Sequence, residues 1–434
     1  MLPSRTATLI FGLLLTTSLP GLSQALSPQA ARALSEDPEE RDLVIASLRD
    51  LGAAGVDALL EVLSEASLGD RNTLESLVLD RVCGQRDCAA SRLFWYTDLD
   101  QALAAAQRLG RPVLSLRLLG RLDEDLSCAN SRFFRTALYP DPRVGKLLRK
   151  RFGLHWHSVR PVPKITIDYG DGRSLQGTIT GNSAHYVLDR HGRLVDVLPG
   201  LYGPGAFAAE LQAAGTLAGR AGEISEGGFL RWMRHEHSTL VRALDLGLGK
   251  SLGDVGSSSV FGRLLGELEA FASLPTRHLP PTARQASLLA KSKMMVEGPA
   301  LAALEGPPGD LEELPGEDVW PKLARARHRD VALRAESRAL LRRIHRPAEP
   351  GDGDRALEAF EAGMALDTVR NQFLLRRTVH VWLQDREAGL TPELLDEQIY
   401  ASLFRTPLSD PWIGLRPADI YSGLQVVEAP SEAR

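Results

Sequence analysis

The stretch that decides the fold of this chain is "VLSLRLLGRLDEDLSCANSRFF", residues 113–134. Residues 111–120 form an apolar run entered through Pro112, which predicts a buried β-strand. Cys128 opens a segment, 128–152, whose apolar spacing predicts a helix interrupted near "YPDP". One of only three cysteines in the chain therefore stands between a buried strand and a helix.

The segments around this stretch alternate between helical and extended patterns. The first of these segments is a predicted helix at residues 98–110, for which Thr97 or Asp98 is a suitable N-cap. In chain order the patterns predict a helix (98–110), two strands (154–160 and 163–172), a β-hairpin (183–200) and a closing helix (203–215). This order predicts an α/β layer structure over residues 93–214.

Four features of this region resemble the thioredoxin-like superfamily. They are the helix "TDLDQALAAAQRLGRP", the strand "VLSLRLL", the cysteine at the start of the next helix, and the hairpin "HYVLDRHGRLVDVLPG" followed by a helix. The resemblance covers about 120 residues. It implies a thioredoxin-like α/β domain at residues 93–214.

The resemblance also implies a site. In that family the first cysteine of a Cys-x-x-Cys motif attacks substrates and the second resolves the mixed disulfide. Here Cys128 takes the attacking place and Ser131 the resolving place, which makes a Cys-x-x-Ser motif and two tentative catalytic residues. Ser183 matches the cis-proline that faces the thiol, so it marks the substrate-facing loop. Ser127 replaces a frequent tryptophan, and "GRLDEDLS" (120–127) is an insertion.

Three interpretations of Cys128 remain open. It is a reactive thiol, a buried and unreactive side chain, or half of a disulfide with Cys83 or Cys88. A single thiol forms mixed disulfides that wait for an outside thiol to release them. Cys83 and Cys88 lie five residues apart in "CGQRDC", and a turn at Gly84 brings them within bonding distance, so they are candidates for a structural disulfide.

Metal and cofactor sites receive little support from the sequence. His155 and His157 share one face of a predicted strand, so a copper site with Cys128 is a hypothesis. The "HEH" at 235–237 has i, i+2 spacing on a predicted helix, where the imidazoles diverge. We expect neither a cofactor nor a metal.

The N-terminus predicts export. Residues 1–25 have a basic residue, an apolar run and small residues at Ser23 and Ala25, which is typical of a cleaved signal peptide, with an uncleaved anchor as the alternative. We expect no membrane-spanning segment after cleavage and a periplasmic or extracellular location, where cysteines tend to pair. The formal net charge of −4 gives no basic field for nucleic acid.

Helical patterns flank the middle region. Residues 28–92 include "ERDLVIASLRDLGAAGVDALLEVLSEA", which resembles one HEAT-type helical hairpin. Residues 222–434 predict a helical C-terminal domain that ends in an extended segment anchored by Trp412. Within this domain, Asp367 has the spacing of a surface pair, either an ion pair with Arg370 at i, i+3 or a hydrogen bond with Asn371 at i, i+4.

The sequence thus favours an exported thioredoxin-like protein of the cell envelope with a single-thiol site. Its partners would be protein thiols, and Cys128 would form transient mixed disulfides. The alternative is a redox-inactive binding or scaffold protein, in which the same fold and the helical half contact an envelope protein. The sequence leaves the oligomeric state open.

Overall fold

The computed structural model describes residues 20–273, 290–294, 297–298, 314–344, 351–385 and 391–413. They form a mixed α/β structure in which helices surround a small mixed sheet. Most of the expected signal peptide, most of residues 281–303 of the expected helical domain, and the tail beyond Ile413 lie outside the described residues.

The N-terminal region is built from helices. They are α1 (Pro20–Ala31), α2 (Pro38–Asp50), α3 (Ala53–Val62), α4 (Leu74–Cys83) and α5 (Cys88–Ser91). The Asp37 carboxylate caps α2 by accepting from the Glu39 N–H at 3.0 Å. Gly52, at a φ of +64°, allows the tight turn between α2 and α3. Leu48 and Leu59 are fully buried in a core that belongs to these helices.

The middle region contributes the sheet. Its elements are α6 (Leu99–Arg108), β1 (Val113–Leu119), α7 (Ala129–Phe133), α8 (Pro142–Arg151), β2 (Gly153–Arg160), β3 (Lys164–Asp168), β4 (Ser174–Thr178), β5 (Ser183–Leu188), β6 (Leu194–Pro199) and α9 (Pro204–Ala221). A π-helical turn, Phe134–Leu138, extends α7. The four-stranded sheet has the order β2–β1–β5–β6, and β3 and β4 form a separate two-stranded hairpin.

Strand β1 lies at the centre of the sheet. It is parallel to β2 and antiparallel to β5, and β5 pairs with β6 as an antiparallel hairpin. All seven residues of β1 are buried, because both faces of the sheet are covered. Asp98 caps the preceding helix α6, accepting from the Gln101 N–H at 2.8 Å.

The C-terminal region is helical. It comprises α10 (Glu226–Asp254), α11 (Phe261–Ala272), α12 (Trp320–Ala326), α13 (His328–Val331), α14 (Ala335–Ile344), α15 (Asp352–Arg370), α16 (Arg377–Gln384) and α17 (Pro392–Gln398). Two π-helical turns, Asn371–Arg376 and Ile399–Leu403, follow α15 and α17. None of the described helices is both long enough and apolar enough to cross a membrane.

One hydrophobic core extends from the sheet into these helices. The rings of Phe133 and Phe360 lie 4.6 Å apart, centroid to centroid. The Tyr202 hydroxyl donates to the Asn371 carbonyl at 3.2 Å. Helix α9 continues to Ala221, beyond the end predicted for the middle region. The sheet is therefore completed by the C-terminal half.

The surface ion pair predicted between Asp367 and Arg370 is wrong. Both residues are buried. Asp367 accepts from the backbone N–H groups of Lys291 and Ser292, and Arg370 pairs with Glu317. The helical spacing is present, but each side chain has a partner distant in the chain.

A buried ion pair joins the sheet to the C-terminal half. Arg376 Nη2 lies 2.6 Å from Asp196 Oδ2 on β6, and Arg376 also contacts Glu210. Burial alone would raise the pKa of Asp196, but the positive charge of Arg376 holds it below its ordinary value. The carboxylate is therefore charged and compensated inside the protein.

We expect Arg376→Ala to cost about 3–5 kcal/mol of unfolding free energy, because it leaves the Asp196 carboxylate buried without its partner. Urea unfolding measures this loss. The matched control is Arg263→Ala, which removes an exposed arginine that pairs with Glu267 and Asp318. Its unfolding midpoint should stay close to that of the wild type. Equal losses in both variants would contradict the prediction.

Candidate functional site

Cys128 is the N-cap residue of α7. Strand β1 ends at Leu119, and Gly120, at a φ of +75°, turns the chain into the loop 120–127. A Cβ atom at Gly120 would lie 2.9 Å from Val162 Cγ1, so the turn requires glycine. The Cys128 N–H donates to the Leu119 carbonyl at 3.2 Å. The cysteine is therefore fixed against the end of the central strand.

The Cys128 sulfur is fully buried among polar groups. The Ser183 Oγ lies 2.9 Å away, the Ser131 Oγ 3.4 Å and the Asn182 carbonyl oxygen 3.9 Å. Two of the residues that the resemblance assigns to the site, Ser131 and Ser183, thus contact the third. The structure gathers these three residues, and it excludes solvent from the thiol.

The Ser131 hydroxyl does not donate a hydrogen bond to the Cys128 sulfur. Its oxygen lies 2.8 Å from both the Cys128 carbonyl and the Ser127 Oγ, and the hydroxyl has a single hydrogen to donate. With that hydrogen directed to one of these oxygens, Ser131 accepts from the thiol. Its contacts are those of a residue that stabilises the start of α7.

A strained loop, residues 179–183, covers the thiol. Thr180 and Gly181 have φ values of +56° and +95°. A Cβ atom at Gly181 would lie 3.0 Å from the Cys128 Cβ. Asn130 donates to the Asn182 side chain, which ties the loop to α7. None of the described peptide bonds is cis. Ser183, after a trans peptide bond, therefore stands where the resemblance implies a cis-proline.

The C-terminal half holds this loop from the outside. The Tyr400 hydroxyl donates to the Asn182 carbonyl at 2.9 Å, and the Lys293 ammonium donates to the Gly181 carbonyl at 3.4 Å. The Thr180 N–H donates to Glu297 Oε2 at 3.1 Å. All three outer side chains are themselves buried. The loop that covers Cys128 is thus part of the interface with the helical half.

Glu297 carries the most perturbed carboxyl near the thiol. Burial raises its pKa to about 7, and the positive charges of Lys293 and Arg132 oppose this in part. Its proton therefore equilibrates near neutral pH, although the group is buried.

The N-terminal region encloses the site from the other side. Arg86 Nε donates to Asp125 Oδ1 at 3.0 Å, and its backbone N–H donates to the Leu122 carbonyl at 3.0 Å. Arg135 Nη1 donates to the same carbonyl at 2.8 Å. The insertion at 120–127 is therefore anchored to the segment between Cys83 and Cys88.

Cys83 and Cys88 form a disulfide with a Cα–Cα distance of 6.3 Å. Gly84 ends α4 in the left-handed conformation at a φ of +70°, and this provides the turn that the pairing needs. Asp80 accepts from the Cys88 N–H at 2.8 Å. This pairing leaves Cys128 as the free thiol of the chain.

The two histidines proposed with Cys128 as a copper site lie along β2. His155 lies opposite Ser115 of β1, and its Nδ1 forms a hydrogen bond with the Ser115 Oγ at 2.8 Å. His157 lies opposite Arg117 of β1. Ser115 is four residues from the strand end that Cys128 contacts, a distance of about 13 Å along a strand. The described residues hold no cluster of three His, Cys, Asp or Glu side chains fit to bind a metal.

Two buried polar clusters escape the sequence analysis. Arg117 of β1 lies 3.3 Å from Asp396 of α17. His380 Nδ1 lies 2.9 Å from His237 Nδ1 and 3.9 Å from Asp196, near a cavity of about 530 Å³ between α9 and α10. A charge inside an apolar strand, as in "LSLRLL" and "LVDVLP", is the available signal, because it requires a partner.

The close approach of the loop to Cys128 predicts that Gly181→Ala lowers stability. The alanine meets the Cys128 Cβ at 3.0 Å and has to adopt a positive φ. Gly172→Ala is the matched control, since its φ is +89° but its Cβ would contact nothing within 4 Å. We expect each variant to lose about 1–2 kcal/mol from backbone strain, and Gly181→Ala to lose roughly 1 kcal/mol more from the contact. Equal losses in urea unfolding would show that the loop is free to move.

The raised pKa of Glu297 makes stability depend on pH. The unfolded carboxyl titrates near 4.5 and the folded one near 7, so the folded protein alone binds this proton between these values. The contribution to the free energy of unfolding is therefore complete below the lower value and is lost as pH rises through the higher one. Glu297→Gln mimics the protonated form.

We expect Glu297→Gln to melt at about the wild-type temperature near pH 5 and above it near pH 8. Thermal unfolding monitored by circular dichroism at both pH values measures the difference. Glu65→Gln, at an exposed position, serves as the control and should give the same small change at both. A pH-independent difference for Glu297→Gln would contradict the assignment.

The site combines a buried single thiol, three serine hydroxyls and a loop clamped by the C-terminal half. This arrangement shields the Cys128 thiol from solvent. Comparisons with protein-family models, curated proteins and solved structures gave no match to the chain.

Proposed function

We propose that this chain is an exported binding or scaffold protein built on a thioredoxin-like domain whose Cys-x-x-Ser site is closed by its own C-terminal half. The observation that carries the proposal is the full burial of Cys128 beneath a loop that Tyr400, Lys293 and Glu297 hold in place. The helical half then serves both as the cover of the site and as contact surface.

The strand order supports the thioredoxin-like part of the proposal. A parallel pair, β1 and β2, is joined through the helices α7 and α8, and an antiparallel hairpin, β5 and β6, leads into α9. These two features support the proposed thioredoxin-like arrangement, with the hairpin of β3 and β4 inserted between them. Cys128 begins the helix after the central strand, and Ser183 begins the hairpin strand beside it.

The chemistry of thiol exchange favours the scaffold function. A mixed disulfide forms when a thiolate attacks a second sulfur, which has to reach it directly. A second sulfur can reach the buried Cys128 sulfur only after the loop 179–183 has moved. Ser131 in the resolving place has no sulfur to release a trapped partner.

A second function is favoured by the placement of the sulfur itself. Ser183 and Ser131 contact the thiol at the start of α7, the position at which the resemblance implies an attacking cysteine. In this function an envelope protein displaces the loop and Cys128 forms a transient mixed disulfide with that protein's thiol. The two functions differ in how often the loop opens.

Export is supported by the cysteines. The Cys83–Cys88 disulfide suits an oxidising compartment such as the periplasm or the extracellular space. The expected cleavage after Ala25 falls within α1 (Pro20–Ala31) and leaves Leu26, which packs on the N-terminal core.

Alkylation of Cys128 tests the proposal. We expect iodoacetamide to label Cys128 in the native protein at least about a hundredfold more slowly than in urea, because labelling requires local opening. Tyr400→Phe removes the hydroxyl that clamps the Asn182 carbonyl, so it should accelerate labelling. Tyr169→Phe, at an exposed tyrosine, is the matched control and should leave the rate unchanged.

Native labelling as fast as in urea would contradict the scaffold function and favour the mixed-disulfide function. Mass spectrometry of the labelled peptide, without reduction, identifies Cys128 as the modified residue because Cys83 and Cys88 are paired.

A further inference from the structure

We propose that the hairpin of β3 and β4 pairs with the same hairpin of a second copy of this chain, strand β3 against strand β3. The inference concerns the mostly exposed part of this hairpin, residues 164–176, and does not depend on the proposed function. It rests on an open strand edge, an exposed apolar face and a charge pattern that is complementary to itself.

The hairpin projects from the protein. Residues 166–176 are all exposed. Ile167 and Leu175 lie directly opposite each other with 45% and 56% of their surface exposed, and Tyr169 is 56% exposed. Strand alternation puts Ile165, Ile167 and Leu175 on one face. Ile165 is half-buried against the core, whereas the outer part of this face, at Ile167 and Leu175, is apolar and solvent-exposed, as at many interaction sites.

The outer edge of β3 is available for pairing. Among the described residues, β3 pairs with β4 and with no other strand. The Tyr169 N–H donates to the Arg173 carbonyl at 3.1 Å and the Ile179 N–H to the Pro163 carbonyl at 3.1 Å. The backbone groups of the odd-numbered residues thus face β4. By alternation, those of Lys164, Thr166 and Asp168 face outward.

These outward residues suit an antiparallel partner with the same sequence. With a two-fold axis at Thr166, each Lys164 lies opposite Asp168 of the other copy, and the two Thr166 residues lie opposite each other. All three are hydrogen-bonded pairs, which gives about six backbone hydrogen bonds. The opposite charges face each other at about 5 Å between Cβ atoms.

The apolar residues fit the same arrangement. Ile165 of one copy lies opposite Ile167 of the other, in the pair type whose side chains approach most closely. The two hairpins form a four-stranded sheet with one continuous apolar face. Charged residues on an edge strand normally prevent it from pairing with other strands. In β3, Lys164 and Asp168 disfavour most other strands, but they are complementary to the same residues in a second copy.

A charge exchange tests the proposal on the full chain. We expect the wild type to change from monomer to dimer with concentration in sedimentation or light-scattering measurements, because so small an interface gives a weak dimer. Lys164→Asp and Asp168→Lys should each weaken the dimer at least roughly tenfold, since each turns two attractive pairs into repulsive ones. The double variant, Lys164→Asp with Asp168→Lys, should restore it.

A mixture of the two single variants provides the sharpest readout. One carries two aspartates on the edge and the other two lysines, so they should dimerise with each other although neither dimerises alone. Thr166→Pro is a second, charge-neutral block, because it removes an outward N–H that β4 does not use. All these positions are exposed, so the variants should keep the wild-type circular dichroism.

Three results would overturn the proposal. They are a wild type that stays monomeric at every concentration, a dimer that neither the charge variants nor Thr166→Pro weakens, and single variants that do not pair with each other. A hairpin that binds an apolar strand of another protein instead would leave the isolated chain monomeric and would count among these results.

Discussion

Two buried charged residues lie within the small sheet, and the packing of the C-terminal half depends on their neutralisation. Arg117 on β1 meets Asp396 of α17, and Asp196 on β6 meets Arg376. A charge buried without a partner costs several kcal/mol, so the sheet is incomplete without the residues that compensate it. The helices that supply these partners also bring Tyr400 onto the loop above Cys128. Closure of the thiol is thus a by-product of completing the sheet.

The elements of this fold follow from local patterns, whereas its contacts do not. The strand around "VLSLRLL" and the hairpin of β5 and β6 lie where alternation and apolar runs predict them. The π-helical turns after α7, α15 and α17 lie within segments that the sequence predicts as plain helix. The spacing of apolar residues indicates which face of an element is apolar. It does not distinguish the hydrogen-bond pattern of an α-helix from that of a π-helix.

The candidate site shows the same division. The resemblance predicts that Ser131 and Ser183 lie next to Cys128, and both residues contact its sulfur. The clamp by Tyr400 and Glu297 has no counterpart in a local pattern, because these residues lie far along the chain from the loop. The prediction for Asp367 is wrong for the opposite reason. Its i, i+3 neighbour suggests a local ion pair, but the buried carboxylate accepts hydrogen bonds from residues distant in the chain.

Tyr400 lies far beyond Cys83 and Cys88 in the chain, and this order has a consequence for biosynthesis. A chain emerges N-terminus first, so Cys83 and Cys88 meet while the clamp on Cys128 is still unmade. A pair five residues apart closes a very small loop and therefore finds itself quickly. Oxidation of this pair removes both competitors for Cys128 before the segment that carries Tyr400 is synthesised. The order of synthesis thus protects a lone thiol from the wrong disulfide during the interval in which it is uncovered.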